Sequence, residues 1–279
     1  MIDKVKIARS FSRSAGTYDQ VAYFQREVGL RLLDCLHQEV DSAGTKILLQ
    51  EKIRQETTQK EKEHYCVDIG CGTAYFKSKI EASFSSVQYV GLDLAEGMLK
   101  HVGSKKDSPS AFLVCADAEH LPLADNSVDM LFSNMALQWC ENLPLLLKEA
   151  GRVLSKGGFF AFTTLGPKTL HELKSAWQEV DDLVHVNQFL TLDDWSKAIN
   201  NSDFVVGQNR QEEIVLRYVS VTTLLQELKL LGAHNVNDGQ RQTLTGPKRL
   251  QKLLAAYAFD EKEQCYPATY DVHYWVLTK

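Results

Sequence analysis

Between Tyr65 and Leu165 the sequence alternates short apolar runs with stretches of helical periodicity, and few folds satisfy that alternation. "YCVDI", "VQYVGLDL", "AFLVCADA", "SVDMLFSNM" and "GGFFAFTTL" are apolar at successive positions, as strands are when both faces are buried. Between or after them stand "AYFKSKIEASF", "AEGMLKHV" and "LPLLLKEAGRVL", patterned for helices. Strand–helix repeats at this spacing build βαβ units and a parallel sheet, so the predicted fold class is α/β.

The flanks read differently. Val21, Phe24, Val28, Leu32 and Leu36 predict a helix over about residues 20 to 38. "EKIRQETTQKEKE" carries no apolar stripe and reads as a solvated helix end or loop. After the fifth strand, "KTLHELKSAWQEVDDL", "TLDDWSKAI", "VTTLLQELKLLG" and "PKRLQKLLAAYAF" predict helices. "DFVVGQNRQEEIVLRYV" predicts two short strands around a polar turn, and "ATYDVHYWVLTK" a final strand. A helical excursion between core strands suggests a cap over a ligand within one domain.

A net charge of −5 disfavours nucleic-acid binding. The six cysteines form no C-x-x-C and no zinc-spaced cluster with histidine, so no metal is expected. They read as small buried residues in a reducing compartment. No run approaches the ~20 apolar residues of a membrane span. "MIDKVKIARSFSRSAGTYDQ" lacks the apolar stretch of a signal peptide, and the expected location is cytoplasmic.

In doubly wound sheets ligands sit beyond the carboxyl ends of the strands. There the chain reads D-x-G-x-G-x-A: Asp68, Gly70, Gly72, Ala74. Tyr75 stands where the NAD fingerprint expects a third glycine or alanine, which makes an NAD-dependent oxidoreductase the second choice. A carboxylate repels a pyrophosphate but attracts an ammonium. S-adenosylmethionine offers an α-ammonium to Asp68 and an α-carboxylate to the N–H groups of the turn and the following helix. Asp93 ends the second strand after a buried run, where an acid accepts from ribose hydroxyls; the plainer alternative is a cap for the helix that follows. Leu94 and Met98, in the same segment, are further cofactor-site candidates. Asp117 and Ala118 close the third strand, suited to an adenine amine and ring, or to a simple turn. Asn134 ends the fourth strand beneath the expected methionine chain.

"VDIGCGTAY", "GLDLAEGML", "CADAEHLPLADNSVDMLFSNMALQW" and "LKEAGRVLSKGGFFAFTTL" resemble the successive motifs of class I S-adenosylmethionine-dependent methyltransferases. The departure is Ala74, where that family usually has a third glycine; alanine is small enough for close helix packing. "FSRSAGTYDQVAYFQ", "SNMALQWCENL", "FTTLGPKTLHELKSAWQEVD", "HVNQF", "LKLLGAHN" and "YPATY" narrow the resemblance to the malonyl-[acyl-carrier-protein] O-methyltransferases of biotin synthesis, from about residue 9 to residue 277. The resemblance implies a Rossmann-like, mostly parallel sheet with an antiparallel C-terminal strand. It divides a single domain into an N-terminal helical lid (1–40), a cofactor-binding half (64–165), an acceptor-binding cap (166–260) and a closing strand (266–279).

The implied reaction is methylation of the free carboxylate of a malonyl thioester, capping its charge so that fatty-acid synthesis enzymes can elongate it. A carboxylate with a pKa near ~4 is already ionised at neutral pH, so no general base is needed. Tyr18 is the candidate closing over the cofactor and touching the acceptor. Arg152 is the candidate for gripping the malonyl carboxylate, or else an anchor for its own helix. Phe11, Arg13, Gln25, His185, Asn187 and Lys229 are lesser candidates; Trp139, Trp177 and Phe189 could wall the cavity or belong to the core. Arg241, Lys248, Arg249 and Lys252 form a basic cluster for an acidic acyl carrier protein or a coenzyme A phosphate, with a solvated helix face as the plain alternative. A monomer or weak dimer is expected. A methyltransferase acting on another small acceptor, and a non-catalytic binding module, stay open from sequence.

Overall fold

The computed structural model describes residues 3–42, 63–84, 87–104, 111–233 and 246–279. Arg241 and most of the charged stretch before the first strand lie outside the described residues. Seven strands form one sheet: β1 (His64–Ile69), β2 (Val87–Asp93), β3 (Phe112–Cys115), β4 (Val128–Ser133), β5 (Leu154–Leu165), β6 (Val205–Tyr218) and β7 (Tyr266–Thr278). Their order is β3-β2-β1-β4-β5-β7-β6. β1 to β5 run parallel, and β7 is antiparallel to both β5 and β6. The order reverses between β1 and β4, which makes that point the topological switch where ligands enter such sheets.

Strand periodicity sorts the core into two layers. Phe159 and Ala161 of β5, with Val272, Tyr274 and Val276 of β7, face one buried cluster. Phe160, Phe162, Trp275 and Leu277 face the other. The first is covered by the long helix α3 (Tyr23–Ser42) through Phe24, Val28, Leu32, Leu36 and Val40. The second is covered by α6 (Leu143–Val153) and α8 (Leu192–Asn200). Side-chain caps start both of these helices. Asn142 accepts from the Leu145 N–H ahead of α6, and Thr191 and Asp194 form a capping box at α8.

The remaining helices are α1 (Lys4–Ser14), α2 (Tyr18–Val21), α4 (Lys77–Ser83), α5 (Glu96–Ser104), α7 (His171–Gln178), α9 (Val221–Leu231) and α10 (Pro247–Ala256). Gly232 ends α9 in the left-handed conformation. Among the described residues no helix is long and apolar enough to cross a membrane.

Three expectations are corrected. The segment read as two strands around a turn is one continuous strand, β6, with a register shift between Val206 and Gln208. Its charged middle belongs to a sheet edge, where exposed polar residues alternate with inward ones and discourage further pairing. Second, Cys115 is exposed rather than buried, because β3 is the opposite edge. Third, Ala74 sits at φ 55°, in the left-handed region. A third glycine at that position is explained by backbone conformation, not helix packing, and alanine carries a strain on the order of 1 kcal/mol.

Candidate active site

The carboxyl ends of β1, β2 and β4 open onto one cleft that encloses about 770 Å³ of space, part of it open to solvent. Gly70, Gly72, Asp93, Leu94 and Met98 line it, as do Asp117, Ala118, Asn134 and Tyr18. Asp68 lines a smaller adjoining cavity, about 400 Å³ of space partly open to solvent, which shares Tyr18, Gly70, Gly72 and Asn134 with the cleft.

The β1 turn is built to leave room. Gly70 has φ 74°, and a Cβ there would overlap the Ala136 methyl across the turn. Gly72 has φ 54°, and a Cβ there would project into open space. However, the amides of this turn do not wait for an anion. Gly70 and Cys71 N–H donate to the Leu92 carbonyl at 2.7 and 3.0 Å, and Ala74 N–H to the Cys71 carbonyl at 2.8 Å. Gly72 N–H donates to Asp93 Oδ2 at 2.8 Å. The short helix α4 starts only at Lys77. The expected backbone cradle for a carboxylate is therefore largely consumed within the protein.

Asp93 is fixed from both sides, since its Oδ1 accepts from the Ala95 N–H at 2.7 Å. It is thus a turn-capping residue and a cleft-lining acid at once. Burial raises its pKa, and the amides of Ala95, Gly72 and Leu94 oppose that rise. Asp68 is more deeply buried and accepts from Tyr89 Oη at 2.7 Å. Burial pushes its pKa up to about 7, helped by the charge of Asp93 and opposed by the Tyr89 hydrogen bond. Such a carboxylate gains by meeting a cation.

Asn134 reaches the site indirectly. Its Nδ2 donates to the Gln25 carbonyl at 2.8 Å, and its Oδ1 accepts from Thr163 Oγ1 at 2.9 Å. The side chain ties α3 to β4 and β5, and the residue lines both cavities. Tyr18 closes the other wall; burial, then the charges of Asp93 and Asp19, hold its phenol well above the usual range, so it is a hydrogen-bond donor at neutral pH.

Arg152 is corrected. It lines neither cavity. All five of its N–H groups are engaged: Nε with Glu149, Nη1 with the Leu123 carbonyl and Asp125, and Nη2 with the Leu121 carbonyl and Glu149. It anchors α6 to the loop after β3, and its pKa is held above the ordinary value by Glu149 and Asp125. Of the lesser candidates, Phe11 and Trp139 meet edge to face at 5.7 Å in the cleft, and Gln25 lines the smaller cavity. Arg13, Asn187 and Lys229 line neither. Nor does His185, which stacks on Trp177 at 3.7 Å with its Nε2 2.7 Å from Asp181. Phe189 packs on the core with Lys174 over its ring.

Two cations were not legible in the sequence. Arg26, on α3, lines the smaller cavity, donates to the carboxylate and carbonyl of Asp19, and lies 4.5 Å from the centre of the Tyr75 ring. Its Nε is buried with no hydrogen-bond partner among the described residues, and so is Oε1 of Gln25. Tyr75, the residue out of place in an NAD turn, thus forms a platform for a guanidinium. Lys4, on α1, bridges Asp117 Oδ2 at 2.6 Å and Glu119 Oε2 at 2.7 Å at the cleft's far end.

Comparison with known proteins decides the lineage. A methyltransferase-domain profile matches residues 67–162. The malonyl-[acyl-carrier protein] O-methyltransferase of Methylovorus sp. is 36% identical over 98% of this chain and 88% of that protein. The chain belongs to the malonyl-[acyl-carrier protein] O-methyltransferase family. The biotin biosynthesis bifunctional protein BioHC of Cellvibrio japonicus is 40% identical over 100% of this chain and 51% of its own length. The chain therefore spans about half of that bifunctional relative. The fold is that of class I methyltransferases. The crystal structure of the YcgJ protein of Bacillus subtilis aligns with a TM-score of 0.55 at 17% identity, covering 78% of this chain and 92% of that one.

A nucleoside bearing a cationic amino-acid tail fits what lines this family member's cleft. Acids stand at the ends of β1 and β2 and beyond β3, the Phe11–Trp139 pair lines the cleft, and Gln25 and Arg26, each with an unpartnered buried polar atom among the described residues, line the smaller cavity with Asp68.

Proposed function

We propose that this chain transfers a methyl group from S-adenosylmethionine to the free carboxylate of a malonyl thioester, carried on acyl carrier protein or coenzyme A, giving the methyl ester that enters biotin synthesis. The observation that carries the reading is the convergence of Asp68, Asp93 and Asp117, from three successive strand ends, on adjoining cavities of a chain whose family is defined by that reaction.

In this reading Asp93 accepts from the ribose hydroxyls, Asp117 from the adenine amine, and Asp68 takes the ammonium. Arg26 replaces the backbone cradle as partner of the α-carboxylate; its unpartnered Nε supports that assignment, and the orphaned Gln25 Oε1 is an acceptor suited to the ammonium. S-adenosylmethionine, when bound, supplies a methyl group on a positively charged sulfur. The protein's remaining work is alignment and exclusion of water. Tyr18, kept protonated, orients one oxygen of the acceptor carboxylate and leaves the other as nucleophile. Charge is annihilated in the transfer, so a dry site with one neutral donor serves better than a buried cation gripping the acceptor.

The direct test is mass detection of a monomethyl ester after incubation with S-adenosylmethionine and malonyl-acyl carrier protein or malonyl-coenzyme A, with succinyl thioesters and free malonate as comparisons. A monomethyl malonyl thioester is the expected product. Methylation of none of these would end the reading, and preference for succinyl acceptors would move the substrate class.

Carrier docking is assigned to the exposed basic face of α10. Lys248 and Lys252 are exposed there, while Arg249 is held at 3.4 Å by Asp181 of the cap. Double charge reversal of Lys248 and Lys252 is expected to raise KM for carrier-bound substrate about 10-fold at low salt, with malonyl-coenzyme A turnover little changed. Equal KM values for wild type and variant on the carrier substrate would remove the docking face.

A further inference from the structure

α1 is fastened to the fold from two sides. It contributes to neither large core cluster; the small cluster it shares consists of Ala15, Ala95 and Met98, with Phe11 and Tyr18 against it. Its inner face, through Ile7, Ala8 and Phe11, covers the cleft. Its fastenings are polar and lie on two sides. Toward the cofactor half, Ser12 Oγ accepts from the Gly97 N–H of α5 at 3.0 Å. Toward the cap, Ser10 Oγ donates to the Gly232 carbonyl at 2.9 Å. At its start Lys4 makes the double ion pair with Asp117 and Glu119. An element with little apolar burial opens at a small fraction of the cost of global unfolding.

The Lys4 contact is the best built of these. Glu119 is 5% exposed, and its other oxygen accepts from the N–H groups of Glu141 and Asn142 at 2.6 and 2.9 Å. Asp117 Oδ1 accepts from the Glu119 N–H at 3.0 Å. Two carboxylates are thus fixed side by side, and Lys4 is the cation between them. Burial lowers the pKa of its ammonium, but the bonds to Asp117 and Glu119 outweigh that and hold it above the ordinary value.

We propose that Lys4 is a positioning residue that latches α1 over the nucleotide end of the cleft and thereby sets how fast the spent nucleotide leaves. The inference rests on the cofactor reading above. α1 lies across the adenine end, so a nucleoside held by Asp93 and Asp117 leaves only when α1 lifts. Lifting it parts Lys4 from both acids and leaves Asp117 and Glu119 facing each other without a counter-charge. Entry and exit both pass a lifted α1, so breaking the latch speeds both, and departure is the passage the spent nucleotide must make.

The experiment is stopped-flow measurement of S-adenosylhomocysteine binding and release, read by tryptophan fluorescence, with Trp139 in the cleft as reporter. Lys4→Met is expected to speed dissociation about 10-fold or more, with association speeded in step, because the variant removes both charge-assisted hydrogen bonds that hold the start of α1. Lys4→Arg should restore slow release. Gly97→Ala offers an independent route: a Cβ there would lie 2.6 Å from Ser12 Cβ and push α1 away with Lys4 intact, so it too should speed release. Dissociation from Lys4→Met and Gly97→Ala within 2-fold of wild type, or affinity lost only through slower association, would overturn the latch. Wild-type protein that binds no S-adenosylhomocysteine would overturn the cofactor reading itself, and the latch with it.

Discussion

Asp93→Ala is expected to weaken S-adenosylmethionine binding by at least about 100-fold and to bring turnover to background. Two ribose hydroxyls donating to one carboxylate form charge-assisted hydrogen bonds, each worth about 1.5–3 kcal/mol, so losing both removes roughly 3–6 kcal/mol. The alanine also strands the N–H groups of Gly72 and Ala95, which Asp93 accepts at 2.8 and 2.7 Å, so the glycine turn loosens as well. Asp93→Asn separates the two effects. It keeps an acceptor for one amide and offers the ribose a neutral partner, so an intermediate loss of about 10-fold is expected. Isothermal titration of both variants is the measurement. Micromolar binding retained by the alanine variant would show that the acid serves only the turn.

Asp68→Asn is expected to make the protein more stable and less able to bind. The wild-type carboxyl titrates near 7 in the fold against 3.8 in a model chain, chiefly because it is buried. With the folded value raised, the stability associated with this group is fully present below pH 3.8. It drains away as pH climbs toward 7, because the unfolded chain ionises freely while the folded one resists. Above pH 7 the fold carries a buried charge. Asparagine removes that burden and still accepts from Tyr89, so on the order of 2 kcal/mol is gained at pH 8 and nothing near pH 4. For a chain of this size that raises Tm by roughly 5 °C.

Binding moves the opposite way. If Asp68 takes the ammonium of S-adenosylmethionine as proposed, binding needs the ionised form, and wild-type affinity should rise with pH through about 7. The asparagine variant should bind about 10- to 100-fold more weakly at pH 8, with that pH dependence flattened. Thermal melts and titrations between pH 6 and 8.5 test both halves. A variant that melts lower than wild type at pH 8 while binding equally well would contradict this assignment.

The strand ends were readable because each acid follows directly on an apolar run. Asp68, Asp93 and Asp117 keep their places relative to their strands whatever the rest of the chain does. What the sequence could not reveal came from elements that meet it only in space. Lys4 lies 113 positions from Asp117, and nothing in "DKVKIARS" marks one lysine over the next. Arg26 stands one residue after Gln25, which was a candidate, but its approach to Tyr75 depends on how α3 lies against the β1 turn. Arg152 misled in the other direction: an arginine at the end of an amphipathic helix is chemically able to grip a carboxylate, and only the carbonyls of Leu121 and Leu123 reveal that its donors are spent.

The amino-acid sequence by itself determined the α/β order, the apolar strands and the acids that end them, because hydrophobic period and strand-end chemistry are local properties. Tertiary structure decided which charges face one another, that β6 is a single edge strand, and that the turn amides are consumed before any ligand arrives. Those depend on the distances between segments far apart in the chain, and such distances exist only once the sheet has assembled.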